Sequence, residues 1–174
     1  MKILVPTAAF FLAAAISCNQ PQTKVAHEQW FNNTKGEILR QASAEPDSTA
    51  YTNGDYPDQR VQLLYRERRL LSRKLFDHDV LRLEVFFSKD GQFEFRREYF
   101  PNGNKSYEGI RYNNAGYGIT TVWLENGQEF TRGVLFNGNP VGEWKNFPPG
   151  SKEAVTADYG GITSLSEFPV LKKQ

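Results

Sequence analysis

Catalysis and metal binding draw on a short list of side chains, and this chain is thin in most of them. Cys18 is its single cysteine, and its two histidines, His27 and His78, stand about fifty residues apart. A lone thiol forms no internal disulfide, and without a second cysteine no zinc site of the usual Cys/His kind assembles. The sequence contains no Gly-x-Ser-x-Gly, no phosphate loop and no calcium loop. Gly116-Tyr117-Gly118 is an isolated short match that a turn explains. Asp77-His78-Asp79 groups an acid–base set on paper, yet consecutive residues on a strand point in different directions, so a surface turn is the expectation. A hydrolase with a carboxylate pair would have to draw on acids such as Glu94, Glu98 and Glu108, and pairs of that kind arise by chance in any acid-rich chain. The reading is therefore non-enzymatic, with no metal and no cofactor. Tyr117, Trp123 and Trp144 are the remaining candidates: beside glycines, they would stack on a sugar or a peptide, in competition with packing between neighbouring hairpins.

Whatever these residues do, a repeated backbone path positions them. Phe100–Trp123 laid over Leu124–Phe147 aligns Asn102-Gly103 with Asn126-Gly127, Gly109 with Gly133, Asn113 with Asn137 and Gly118 with Gly142. Apolar positions agree in kind: Phe100 with Leu124, Ile110 with Val134, Tyr112 with Phe136, Trp123 with Phe147. A repeat whose glycines stay in register while its side chains drift preserves a conformation. From Leu81 the apolar period is two, through Leu83, Val85 and Phe87, then Phe93, Phe95 and Tyr99 beyond Asp90-Gly91. Arg97 falls on the apolar side of that pattern, where Glu108 is a candidate partner. Gly91, Gly103, Gly109, Gly118, Gly127, Gly133, Gly142 and Gly150 are read as the turn glycines. The fold class is thus all-β, an antiparallel meander of repeated hairpins over residues 59–160.

Outside that unit the signals weaken. Arg60–Asp79 fits either a helical stripe or two strands, Val61–Tyr65 and Leu70–Phe76, and the plain sheet that follows favours strands. Its basic cluster, Arg66, Arg68, Arg69, Arg73 and Lys74, reads as a solvated strand face in preference to a lipid-headgroup site, because acids stand nearby. Residues 18–58 form a flexible N-terminal tether and a segment of low order. Within them Val25–Gln41 is a short element, a docking strand on this reading, broken by a turn signal at Asn32-Asn33-Thr34-Lys35-Gly36, and Ala42–Asp58 is a loop. Residues 161–174 are a tail that covers an edge or trails free.

Residues 1–17 read as an export leader, with Lys2 ahead of the uncharged run Ala8–Ile16, which is far too short to span a bilayer. Ala15-Ile16-Ser17-Cys18 resembles a bacterial lipobox, which implies diacylglycerol on Cys18 and a membrane-anchored lipoprotein of the cell envelope; secretion with a free thiol is the alternative. The chain carries 21 Lys and Arg against 20 Asp and Glu, and removal of Lys2 with the leader makes the mature chain formally neutral. That balance disfavours nucleic acid, which rewards a basic excess.

The repeat resembles the variant MORN repeat of bacterial proteins, including those labelled YwqK-like antitoxins. The resemblance is carried by Tyr99-Phe100-Pro101-Asn102-Gly103, Glu108-Gly109-Ile110-Arg111-Tyr112, Gly127, Gly133-Val134-Leu135-Phe136-Asn137-Gly138 and Gly142-Glu143-Trp144, within Leu81–Tyr159. Two positions depart from it: Thr120 stands where the pattern places an aromatic, and Arg132 where it places Glu. The resemblance implies a single-layer, twisted meander that works as an interaction module. The expected partner is another protein or an envelope polymer, with an antitoxin or immunity-type inhibitor of a dedicated toxin as the alternative.

Overall fold

A computed structural model of the chain describes residues 20–161 and 164–172, with side chains from Lys24 onward. Cys18 and the leader lie outside the described residues. One helix, α1 (Gln20–Ala42), precedes ten strands: β1 (Ser48–Asn53), β2 (Gln59–Arg66), β3 (Arg69–Asp77), β4 (Val80–Phe87), β5 (Phe93–Tyr99), β6 (Lys105–Tyr112), β7 (Ala115–Trp123), β8 (Glu129–Phe136), β9 (Asn139–Asn146) and β10 (Val155–Asp158). The strands form one sheet in sequence order, every neighbouring pair antiparallel. The expected all-β meander is therefore the architecture, and Arg60–Asp79 contributes two strands to it.

Reversals of two kinds connect the strands. Glu67-Arg68, His78-Asp79, Asn113-Asn114 and Asn137-Gly138 have positive φ at both positions, the conformation of a two-residue type I′ hairpin. Asp77-His78-Asp79 is thus a surface turn. The longer reversals repeat atom for atom: Gly103 N–H donates to Phe100 O at 3.0 Å and Gly127 N–H to Leu124 O at 2.9 Å, and in each an Asn side chain accepts from the N–H two residues on.

Four of the eight expected turn glycines sit elsewhere. Gly91, Gly103, Gly127 and Gly150 occupy reversals with positive φ, whereas Gly109, Gly118, Gly133 and Gly142 lie inside β6, β7, β8 and β9. The cause is a recurring bulge. Between β6 and β7 the register passes from Glu108↔Thr121 to Ile110↔Tyr117, so β7 uses two more residues than its partner over that stretch. Between β8 and β9 it passes from Arg132↔Lys145 to Val134↔Val141, the same step 24 residues later. The extra residues need a left-handed backbone position, which Gly118 (φ 75°) and Gly142 (φ 60°) provide. What the repeat conserves in its interior is a bulge.

Residues 20–58 are more ordered than expected. Gln20–Ala42 is one continuous helix, although Asn32, Asn33 and Gly36 argue for a turn. Its buried positions are His27, Phe31, Thr34, Ile38 and Gln41, a stripe of alternating four- and three-residue steps that fits a helix facing a core. β1 forms where a loop is expected, as an edge strand exposed along its whole length. The described part of the C-terminal tail, residues 164–172, docks on the helix-bearing face, where Phe168, 4% exposed, packs among His27, Trp30, Tyr117 and Phe136. The core lies between this face and α1, built from Phe31, Ile38, Phe93, Phe95, Ile110 and Ile119.

Candidate binding groove

The helix crosses the strands one after another. Glu28 meets Arg132 on β8, the Trp30 ring lies on Gly118 of β7, Lys35 meets Glu108 on β6, and Gln41 reaches Lys89 just beyond β4 and Arg69 on β3. The spacing is geometric. Glu28 and Lys35 are seven residues apart, about 10.5 Å along a helix, and β6 and β8 are two strands apart, about 9.6 Å. Equivalent positions of the two repeat copies, Glu108 and Arg132, are thus gripped by one face of α1 with opposite polarity.

Those contacts belong to a row of cross-strand neighbours: Tyr51, Gln62, Lys74, Glu84, Arg97, Glu108, Thr121, Arg132, Lys145 and Thr156, one from each strand. Its central charges alternate and pair. Lys74 Nζ lies 3.3 Å from Glu84, Arg97 Nε lies 3.2 Å from Glu108 as the sequence suggested, and Lys35 Nζ lies 2.9 Å from Glu108. Burial pushes the Glu108 carboxyl up, but Lys35, Lys105 and Arg97 more than offset it and hold the group below the usual carboxylate range. Tyr99 donates to Glu84 at 2.7 Å, and its phenol is pushed up to about 12 by burial and then by that carboxylate. Beyond Thr121 the alternation fails, with Arg132 beside Lys145. Arg132 is paired with Glu28 at 3.3 Å, while among the described residues no ion pair engages Lys145.

Where the alternation fails, the helix-bearing face opens into a groove. Its larger part, about 740 Å³, runs between the N-terminal half of α1 and β8–β10, from Lys24 and Glu28 to Lys145, Glu143 and Asp158. A second part of about 440 Å³ continues toward Trp123 and Asn32, and the two share Glu28, Ile119, Glu129 and Arg132.

The aromatic candidates are not brought together. Trp123 lines the groove, with Lys105 Nζ 4.4 Å from its ring centroid. Tyr117 packs edge-on against Tyr112, Phe136 and Phe168, as part of the core that the tail seals. Trp144 alternates with the groove-lining Glu143 and Lys145, so it stands on the opposite face, over Gly133, with its indole N–H donating to Val134 O at 3.1 Å. The candidate acids are also divided. Glu108 faces α1, while Glu94 and Glu98 alternate with Phe95 and Arg97 onto the other face, where Glu98 pairs with Arg96 at 2.8 Å. His27 is buried against Phe168, and exposed His78 sits in its turn beside Asp77.

Sequence reasoning missed the helix half of the groove, Lys24, Glu28, Asn32 and Lys35, together with Glu129, Arg132 and Lys145. The departure at Arg132 was the available signal, since a charge reversal at a repeated position asks for a reversed partner.

No protein-family model matches the chain, and no curated protein matches it. One solved structure, described as a crystal structure of a GtfA/B complex, aligns over 64% of this chain and 22% of its own, with 13% identity and a TM-score of 0.23. At that score the likeness bears on neither fold nor function.

Proposed function

We propose that the chain is a non-enzymatic binding module of the bacterial cell envelope, anchored through an acylated Cys18, that holds an extended segment of a partner protein in the groove between α1 and β8–β10. The lining of that groove carries the reading. Lys24, Arg132 and Lys145 face Glu28, Glu129, Glu143 and Asp158 around an apolar floor that includes Ile119, Val134 and Val141. A polypeptide presents both signs of charge, backbone donors and acceptors and apolar side chains, so it matches a mixed lining. A uniformly anionic polymer would meet four carboxylates. The anchor is short: two residues of reach from Cys18 to Gln20, then four of helical rise, place Lys24 within roughly 13 Å of an acylated thiol. The groove then opens beside the lipid surface, toward partners embedded in or lying on the same membrane.

Site-specific photocrosslinking in the native envelope tests the reading. A photoreactive residue in place of Glu143 or Glu129 is expected to yield one and the same polypeptide adduct, lost when Lys145→Glu is added. The same residue in place of Glu98, on the opposite face, is expected to yield none. An adduct from Glu98 as strong as from Glu143, an adduct with polysaccharide, or no adduct would overturn it. A fatty-acid probe that labels Cys18→Ala as well as the parent would remove the anchor from the proposal without touching the groove.

A further inference from the structure

The sheet is open, and one of its two edges carries none of the devices that normally keep sheet edges apart. β1, Ser48-Thr49-Ala50-Tyr51-Thr52-Asn53, is exposed at every residue and contains no charge, no proline and no glycine. The opposite edge, β10, is four residues long, ends in Asp158 and runs at once into Gly160-Gly161. The pairing of β1 with β2 settles which of its backbone groups are free. Gly54 N–H donates to Gln59 O at 3.0 Å in register with the ladder, so the alternate residues Thr52, Ala50 and Ser48 also turn their N–H and C=O groups toward β2. Thr49, Tyr51 and Asn53 therefore turn theirs outward, where among the described residues the Asn53 carbonyl accepts only the Thr52 hydroxyl, at 3.2 Å.

We propose that this edge is a self-recognition surface, on which β1 of a second copy pairs antiparallel about a twofold axis through Tyr51. The register follows from symmetry. A twofold axis perpendicular to the sheet must pair residues of like parity, so that side chains stay on their own face. Centring it on Tyr51 sets Tyr51 against its own copy, and Thr49 against Asn53 in both directions. Every outward N–H and C=O of those three residues then has a partner. All six residues of β1 are uncharged, so no like charges oppose each other along the strand. The nearest charge along the chain, Asp47, accepts from the Glu67 N–H at 2.6 Å, and Arg60 of β2, which lies over the Tyr51 ring 5.6 Å from its centroid, is paired with Asp79 at 3.2 Å. The row that ends at Tyr51, after Lys74 and Gln62, continues through the axis into the partner's row, and β-branched and aromatic side chains line the seam. This pairing is independent of the groove and of what the groove holds.

The test uses the mature chain carrying Cys18→Ser, so that no acyl group drives association, with sedimentation and thermal melting as readouts. The parent is expected to be a dimer. Tyr51→Pro removes an outward N–H that the monomer does not use, so it is expected to leave the melting temperature of the monomer fold in place. It is also expected to raise the dimer dissociation constant by roughly 100-fold or more, as the loss of a few backbone hydrogen bonds requires. Tyr51→Lys, which sets two cations across the axis without altering the backbone, is expected to do the same. Thr52→Pro removes an N–H directed at β2 and is expected to lower the melting temperature. A parent that stays monomeric at its highest soluble concentration overturns the proposal, as does a dimer that survives both Tyr51→Pro and Tyr51→Lys. So does a short bifunctional crosslinker that joins chains through Asp158→Cys and not through Tyr51→Cys.

Discussion

Gly118→Ala separates the two demands that the repeat places on one residue. Gly118 has φ 75°, and a Cβ built on it overlaps the six-membered ring of Trp30. The left-handed backbone alone costs an alanine about 1–2 kcal/mol. Displacing the indole adds about 1–3 kcal/mol as overpacking, since Trp30 is also fixed by its N–H bond to Pro169 O at 3.2 Å and by its edge contact with Phe168. The sum, about 2–5 kcal/mol, is a large part of the roughly 5–15 kcal/mol that stabilises a domain. Gly103→Ala is the control: its φ is 86° and nothing lies within 4 Å of an added Cβ, so it bears the backbone cost alone. Urea unfolding of both variants measures the difference, expected at about 1–3 kcal/mol, the overpacking figure. Trp30→Leu in the Gly118→Ala background should recover part of it, because the smaller side chain vacates the overlap. Equal losses for Gly118→Ala and Gly103→Ala would refute the claim that the bulge glycine is where the helix seats.

Gly36→Ala runs the other way. Gly36 lies within α1, on its exposed side, with nothing within 4 Å of an added Cβ, so alanine should add about 0.5–1 kcal/mol, read as a higher urea midpoint at unchanged slope. Glu108→Gln tests the charge row through pH. The folded Glu108 carboxyl lies below its unfolded value, so its contribution is fully present above about pH 4.3 and is lost as pH falls through the folded value. The stability gap between parent and Glu108→Gln, measured by denaturant unfolding, should be widest at neutral pH and shrink as the solution is acidified. A gap that stays constant would refute the role of Lys35, Arg97 and Lys105.

The strands were legible because their signal is local. Alternation from Leu81 to Tyr99 marks β4 and β5, and Asn-Gly pairs mark the reversals after β5, β7 and β8, without reference to anything distant, and Arg97 on the apolar side already pointed to Glu108. The helix was not legible because the stripe it buries is His27, Phe31, Thr34, Ile38 and Gln41, of which three are polar. Gln41 lies in the core because Lys89 N–H donates to it at 2.6 Å, and a partner 48 positions away leaves no mark in a local window. The bulge glycines misled for a related reason. At Gly118 and Gly142 a positive φ serves the same steric need as in a turn, so composition shows the conformation without showing the register. Of the three aromatics expected to bind, Trp123 alone lines the groove, and of the candidate acids Glu108 alone, since the remainder depends on which strands the helix reaches.

That reach accounts for both the groove and the bare edge. A helix of 23 residues is about 34 Å long, whereas ten strands span about 43 Å, so α1 cannot cover the sheet from edge to edge. It is seated at both ends of its contact, by Gln41 near β3 and β4 and by Glu28 at β8, which leaves β1 and β2 beyond its C-terminus. Neighbouring strands rotate by about 20–25°, so a straight rod held against the middle strands must lift away from the last ones. The gap lies there, between the first turns of α1 and β8–β10, with Phe168 of the tail closing only the part next to Trp30 and Tyr117. A helix shorter than the width of a twisted repeat sheet thus leaves one cleft and one uncovered edge strand, and lengthening the sheet by one more hairpin after β10 would extend the cleft while leaving the β1 edge as it is.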